Sequence, residues 1–514
     1  MKLTDFSHMV LWGANRAASF AKVICELNNL KWSIVDRSPK QRQHLFGQQP
    51  IMSADELTQL PANTLVVICA DAQRFGTAIE QRAVRLGASK CIDYRTFCAV
   101  VQADLVQSEN KPLAQTSRTQ KVAIVVPRLA IGGAEQQAIL VAEALRNAGK
   151  EVVLLALSAQ DKNAPGFIEK AKLANIRYDN LSALNTPIIC EDLVAQLCTH
   201  NSFYDLSLSG QHYLVELYHW VSEEQPSSVI SFLDEANIIC GDLTSTFIAL
   251  PAILWFRSLS PPELVSKSAQ MTFCVNLTTM AKRYQCYAKY AHIQLAANSL
   301  MGLVSYAKWL GFEPTQIQHI PNIVRHPADN RPIKPEINVP TIVGIMRLEQ
   351  EKGPDDFVRV IEHLVQIYGP VNAVLVGAGS MHEALIAMIR AKGLESYIKL
   401  VGAVTDPNPY LLESDILVQT SHIEGLPNAL LEGQSCGCMI VATDVGSSKD
   451  ALADDYHKYM VAPTDIYTLA NRVSSLLKLS RFEHQKLIQQ GYAFIEKHYS
   501  ATSTLKKVLP LIRS

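Results

Sequence analysis

Short apolar runs alternate with amphipathic stretches along almost the whole chain, the pattern of repeated strand–helix units and a parallel sheet. The first block opens with a strand over Met9 to Trp12, a glycine turn at Gly13-Ala14-Asn15, a helical run from Ala17 to Leu27 and a second strand over Trp32 to Val35. A second series begins with a strand over Val122 to Val126, an amphipathic helix reaching Ala148, and a strand over Val152 to Leu157. Further strands are read at Val229 to Leu233, Ala252 to Phe256, Ile293 to Ala296 and Ile317 to Ile320. The third series has strands at Thr341 to Met346, Ala373 to Val376, Ile398 to Val401, Ile416 to Gln419 and Met439 to Ala442. A last helix over Ala501 to Ile512 follows the N-cap candidate Ser500. Two breaks divide these series. Asp104 to Gln120 is polar and helix-poor, and Arg325 to Pro340 holds Pro327, Pro332, Pro335 and Pro340. The pattern predicts an α/β protein with a Rossmann-like unit over 1–105, a linker over 106–120, and two larger parallel-sheet units over 121–325 and 326–495.

A length of 514 residues agrees with roughly three domains. Hydrophobic residues make up 48% and charged residues 18%, a globular composition. The formal net charge of −1 supplies no basic field, so nucleic acid is excluded as the expected partner. Eleven cysteines occur without a Cys-x-x-Cys pair or a zinc-spaced cluster, and Cys436 and Cys438 read as small buried thiols; no metal is expected. Met1 to His8 is polar rather than signal-like. The oiliest stretch, Ile238 to Phe256, contains Asp242, Thr244, Ser245, Thr246 and Pro251, and reads as a helix feeding a buried strand. A soluble, cytoplasmic chain is the expectation.

Three strand ends carry candidate chemistry. The sharpest is Glu424-Gly425-Leu426-Pro427-Asn428-Ala429-Leu430-Leu431-Glu432, two carboxylates with seven residues between them. Pro427 suits the first turn of a helix, and the open amides of a helix start form an anion site. Glu424 falls in the loop and Glu432 inside the helix. Carboxylates accept vicinal hydroxyls, so one can hold a sugar and the other a ribose. The plain alternative is a helix with a surface glutamate at each end. Arg347 and Lys352 follow the strand at Thr341 to Met346, beyond the carboxyl edge of a parallel sheet where ligands collect; together they can neutralise a diphosphate. Glu349 and Glu351 between them leave a solvated charged loop as the alternative. Gly132-Gly133, and the turn Val376-Gly377-Ala378-Gly379-Ser380, would let backbone approach a ligand, or are simply tight turns. Asp36, about 20 positions after Gly13, has the place of a ribose-holding acid, but one glycine stands where a dinucleotide turn wants three. That block therefore reads as a degenerate module used for packing or partner contact. Asp234, with Glu235 behind it, and Arg257 sit at strand ends that could line an acceptor, a surface arginine being the alternative for Arg257.

These elements together resemble glycosyltransferase family 4, the retaining enzymes of the GT-B fold, from Lys121 to the C-terminus. The resemblance rests on the two-glutamate stretch and the small-residue strand after it, Ser435 to Gly446. Arg347 and Lys352, Asn298-Ser299 and Pro321-Asn322 support it. It implies two Rossmann-like domains facing a cleft, with 121–325 on the acceptor side, 326–495 binding the donor, and 496–514 crossing back. Carried over, Arg347 and Lys352 would hold the diphosphate, Glu432 the ribose and Glu424 the sugar hydroxyls, with Gly132, Gly133, Gly425, Leu426, Pro427 and Gly377 as further donor contacts. No metal and no cofactor are implied, since cationic side chains and the helix dipole replace them. Val445-Gly446-Ser447-Ser448-Lys449-Asp450 departs from the family's usual segment after the second glutamate. The histidine many relatives carry in the first half has no assignable counterpart.

The implied activity is retaining transfer of a sugar from a nucleotide-sugar donor, a UDP-sugar being expected, to a saccharide or lipid-linked acceptor. Surface polysaccharide biosynthesis, with peripheral contact at the inner membrane, is the implied setting. A sugar-nucleotide epimerase and a non-catalytic sugar-nucleotide-binding scaffold are the rival readings.

Overall fold

The computed structural model describes residues 2–42, 50–70, 72–104, 113–114, 120–128, 132–158, 168–181, 194, 197–198, 200–265, 275–325 and 339–512. Most of 106–120 and the proline-rich 326–338 lie outside them. So do Leu129, Ala130 and Ile131 of the glycine turn.

The first sheet has five parallel strands in the spatial order Ile51–Ser53, Trp32–Asp36, His8–Trp12, Thr64–Ile68, Lys90–Asp93. The sequence pattern marked only the second and third of these; Ile51–Ser53 and Lys90–Asp93 are short, whereas Thr64–Ile68 is a fully buried apolar run that the pattern reading passed over. Asp36 does not stand free for a ribose. Its Oδ2 accepts from the Ala14 amide at 2.7 Å and its Oδ1 from the Ser38 amide at 2.7 Å, so the acid closes its own turn. This unit packs onto the next one through a continuous buried core that includes Phe20, Phe97, Phe203 and Leu214. The Phe20 and Phe203 rings meet edge to face at 5.7 Å, and the Tyr94 hydroxyl donates to Gln211 Oε1 at 2.8 Å. Burying that much apolar surface makes the contact a fixed interface rather than a tether.

The second sheet has seven parallel strands ordered Gln318–His319, Ile293–Ala297, Ala252–Phe256, Ser228–Phe232, Lys121–Val126, Glu151–Ala156, Arg177–Asn180. Its central strands are buried on both faces, which explains their continuous rather than alternating apolar runs. The strand expected over Ile317 to Ile320 is only Gln318–His319. Leu113–Ala114, inside the expected linker, forms a parallel pair with Ile248–Ala249; a two-residue strand in a polar stretch carries no periodic signal. The oily segment folds as helix Asp234–Asp242, a wide turn over Leu243–Phe247 and the strand Ala252–Phe256. Asp242 within it is matched by Arg283 and by the Tyr287 hydroxyl at 2.6 Å. Among the described residues no helix is long and apolar enough to cross a membrane.

The third sheet is ordered Ile398–Gly402, Asn372–Val376, Thr341–Ile345, Ile416–Gln419, Met439–Thr443, Met460–Val461, all parallel, around its own core. Cys436 and Cys438 are buried there. The last helix, Ala501–Val508, is shorter than the sequence pattern because Pro510 disfavours helical geometry just before it. Ser500 caps it by accepting from the Ser503 amide at 3.3 Å. Val508 and Ile512 bury themselves against the second sheet with Ile320 and Ile323, so the chain's end rests on the unit opposite to the one it leaves.

Candidate active site

The third sheet delivers its chemistry from the carboxyl ends of neighbouring strands. After Thr341–Ile345 comes a tight turn, Gln350–Lys352, and after Ile416–Gln419 comes the loop that holds Glu424. The Thr420 hydroxyl donates to the Gly353 carbonyl at 2.7 Å and the His422 amide to the Glu351 carbonyl at 2.9 Å, which locks the two loops together. Lys352 Nζ then lies 2.9 Å from Glu424 Oε1, and the Ser421 hydroxyl donates to the same oxygen at 2.7 Å. With side chains only 18% and 12% exposed, this pair is shielded from the water that weakens surface ion pairs. His422 faces the buried Asp356 carboxylate at 2.8 Å. The segment that departs from the family pattern braces this loop: the Ser447 amide donates to the Gly425 carbonyl at 2.9 Å.

The other members of the expected site are placed differently. Arg347 is 65% exposed and pairs with Glu351 at 2.7 Å, not with Glu424. Glu349 accepts from the Ser380 amide at 2.9 Å and hydroxyl at 2.6 Å, so the loop acids are structural partners rather than loose surface charges. Glu432 sits inside helix Asn428–Ser435, and burial pushes its carboxyl up to about 7. The charge that opposes this is Lys170, from helix Ile168–Leu173 of the second unit, while Asp406 adds to it. Thus Glu424 and Lys352 are brought together, whereas Arg347 and Glu432 have separate neighbours. Gly377 is held at φ +146° against the Met346 carbonyl, where any Cβ would overlap, so close packing accounts for it. Leu426 is buried and lines a cavity of about 280 Å³ with Pro321, Phe494 and Tyr499; its side chain serves packing.

Opposite this loop stands the carboxyl edge of the second sheet. Helix Gly133–Asn147 begins there with Gly132 at its N-cap and no side-chain cap, and helix Asn428–Ser435 begins with Pro427 at its N-cap, likewise uncapped. The two starts meet. Asn428 Nδ2 donates to the Gly133 carbonyl at 3.4 Å, and a Cβ on Gly133 would come within 2.8 Å of that nitrogen. Gly425 also approaches the second unit, a Cβ there lying 3.3 Å from the Ser258 Cα. Two helix starts without a side-chain cap from the N-cap residue thus bring their positive dipole ends together, the Glu135 carboxylate lying at the first of them.

Arg257 follows strand Ala252–Phe256 and lies over the Phe232 and Trp255 rings, 5.1 and 5.0 Å from their centroids. Its Nη2 donates to Asn322 Oδ1 at 2.6 Å; burial pulls its pKa down to about 9, opposed by the charge of Glu135. This is an inward, stacked arginine and not a surface one. Asp234 is also turned inward: its carboxylate oxygens accept from the Tyr284 and Tyr306 hydroxyls at 2.7 and 2.8 Å. Leu233 before it adopts φ +72°, a costly conformation for a branched residue, which marks a turn held by its surroundings. Sequence reading missed Asn428, Asn322, Ser421, Glu135 and Lys170 as members of this region. Asn428, inside the two-glutamate stretch, and Asn322, noted with Pro321 for its family pattern, carried a signal but were given no role. Among the described residues no group of three or more His, Cys, Asp or Glu side chains is placed to hold a metal ion.

Comparison with known proteins bears on this arrangement directly. Residues 329–494, which hold the Lys352–Glu424 pair and Glu432, match the family model of glycosyl transferases group 1. That match covers about a third of the chain. A phosphatidylinositol N-acetylglucosaminyltransferase component of Arabidopsis thaliana is 34% identical over 151 residues, 28% of this chain and 33% of the relative. The Vi polysaccharide biosynthesis protein VipC/TviE of Salmonella typhi is 23% identical over 235 residues, 42% of this chain and 40% of its own. The chain thus spans well under half the length of these relatives. Among solved structures, Anabaena HepE in complex with UDP and glucose superposes with a TM-score of 0.59 at 15% identity, covering 76% of this chain and 99% of that one. The likeness establishes the GT-B fold: two parallel-sheet units facing each other, here with a further Rossmann-like unit at the N-terminus.

Proposed function

We propose that this chain is a retaining glycosyltransferase that moves a sugar from a UDP-sugar to a saccharide or lipid-linked acceptor. The observation that carries the reading is the shielded Lys352–Glu424 pair beside two facing, uncapped helix starts from opposite units. Cleaving the anomeric C–O bond puts positive charge on the sugar and negative charge on the diphosphate. Lys352, the amides of the Gly133 and Asn428 turns and, once turned from Glu351, Arg347 stabilise the leaving group where that charge grows, usually the largest catalytic contribution. Glu424 orients the donor sugar through its hydroxyls and Glu432 accepts from the ribose. The acceptor oxygen bonds to the anomeric carbon on the face the diphosphate leaves, and its proton passes to the departing phosphate oxygen. Residues 326–495 serve the donor and 121–325 the acceptor, with Arg257 and Asp234 lining the acceptor side. The UDP in the HepE complex supports the donor class, and the name of the Salmonella relative supports a role in polysaccharide biosynthesis.

The test is incubation with UDP- and GDP-sugars and with oligosaccharide or lipid-diphosphate acceptors, followed by mass spectrometry and NMR of the new linkage. An α-linked product from an α-linked donor, abolished in Glu424→Gln, supports the reading. Acceptor-independent turnover points to an epimerase or hydrolase, binding without turnover to a scaffold, and an inverted product removes the mechanism.

A further inference from the structure

An asparagine beside a helix start ordinarily turns its carboxamide onto the helix's own amides. Asn428 does not, although it is the first residue of helix Asn428–Ser435 and Pro427 supplies no cap. Its carboxamide faces the other unit instead. Oδ1 accepts from Asn322 Nδ2, and Nδ2 donates to the Gly133 carbonyl at 3.4 Å. Asn322 is 1% exposed, and its Oδ1 accepts from both Arg257 Nη2 at 2.6 Å and Asn298 Nδ2 at 3.2 Å. Its main-chain carbonyl accepts from the Thr504 hydroxyl of the last helix at 3.4 Å. Two hydrogen bonds in series therefore join the first turn of the two-glutamate helix to the stacked arginine of the opposite sheet. Arg257 Nη1 and Asn298 Oδ1, at the edge of the same network, are buried and have no hydrogen-bond partner among the described residues.

We propose that Asn428 is a positioning residue: it docks the start of the two-glutamate helix onto the second sheet and so holds the closed arrangement in which transfer occurs. The proposal rests on the glycosyl-transfer reading of this site. A carboxamide suits the task because it offers one donor and one acceptor without a charge that would repel a diphosphate or compete with Lys352. Two bonds of ordinary strength bias an open–closed equilibrium by about tenfold. A helix-stabilising role alone would make different demands, lowering thermal stability and nucleotide affinity together.

The test compares wild type, Asn428→Ala and Asn428→Gln in three measurements: UDP affinity by calorimetry, radius of gyration by small-angle scattering with and without UDP, and kcat and KM. For Asn428→Ala the proposal expects an unchanged melting temperature, a larger radius in the UDP complex, kcat lower by about tenfold and UDP affinity lower by no more than about that same factor, with partial recovery in Asn428→Gln. Unchanged scattering together with unchanged kcat overturns it, as does a loss of UDP affinity that simply follows a loss of melting temperature. Should the wild type transfer no sugar while Asn428→Ala still opens the UDP complex, the functional reading falls and the closure contact stands.

Discussion

Glu432 allows the site to be tested by pH alone. Burial raises its carboxyl to about 7, against an ordinary value near 4.3, because protein packed around this partly buried carboxyl weakens its hydration and Asp406 adds like charge; Lys170 offsets only part of this. A ribose hydroxyl donates more strongly to the carboxylate than to the protonated acid, so donor binding favours the ionised form. With a free-state pKa of about 7, the ionised fraction is about 9% at pH 6 and about 91% at pH 8, so affinity rises by up to about tenfold across that interval, at most about 1.4 kcal/mol. The sign follows from linkage: a raised pKa in the unbound protein means a proton must leave on binding, so affinity grows as pH climbs. Calorimetry with an intact UDP-sugar is the appropriate assay, because free UDP carries a phosphate that itself titrates near pH 6. Glu432→Gln removes the proton and flattens the profile. A flat wild-type profile, or one that survives unaltered in Glu432→Gln, refutes the assignment of Glu432 to the ribose.

Lys352→Ala, which removes the cation beside Glu424, lowers kcat by about 10²–10³ in steady-state assays, and a change below about threefold contradicts its place at the leaving group. Gly377→Ala forces a Cβ onto the Met346 carbonyl at φ +146° and destabilises the third unit by about 2–4 kcal/mol, read as a lower melting temperature; an unchanged melting temperature rejects the packing explanation. Glu224, held down to about 2 by Arg177 and Lys121, contributes stability that is full above its unfolded value near 4.3 and is lost as pH falls through about 2. The melting-temperature gap between wild type and Glu224→Gln therefore narrows between pH 5 and pH 2, and a constant gap over that range contradicts the ion-pair account.

Much of this molecule is legible along the chain because its central strands are buried on both faces and stand out as continuous apolar runs. The two-glutamate stretch is legible for a different reason: glycine and proline announce a strand-to-helix turn with its amides uncovered. What stays hidden is pairing at a distance. Nothing near Arg257 says that the Phe232 ring lies beneath its guanidinium or that Asn322 accepts from it. Asn322 and Asn428 are 106 residues apart, and their contact depends on how two separately folded sheets face each other. Asp36 has the spacing of a ribose-binding acid, yet the Ala14 amide occupies it, a local choice that spacing alone does not reveal. The strands Ile51–Ser53 and Lys90–Asp93 at the edges of the first sheet are too short to announce themselves by alternation.

The central claim is that a nucleotide diphosphate sits where the starts of helices Gly133–Asn147 and Asn428–Ser435 converge. A crystal structure of the full chain with UDP tests it most directly. The account predicts a diphosphate in hydrogen-bonding range of Lys352 Nζ and the amides around Pro427, with the ribose on Glu432. Density for UDP elsewhere, for instance against Gly13 to Asn15 of the first unit, contradicts it.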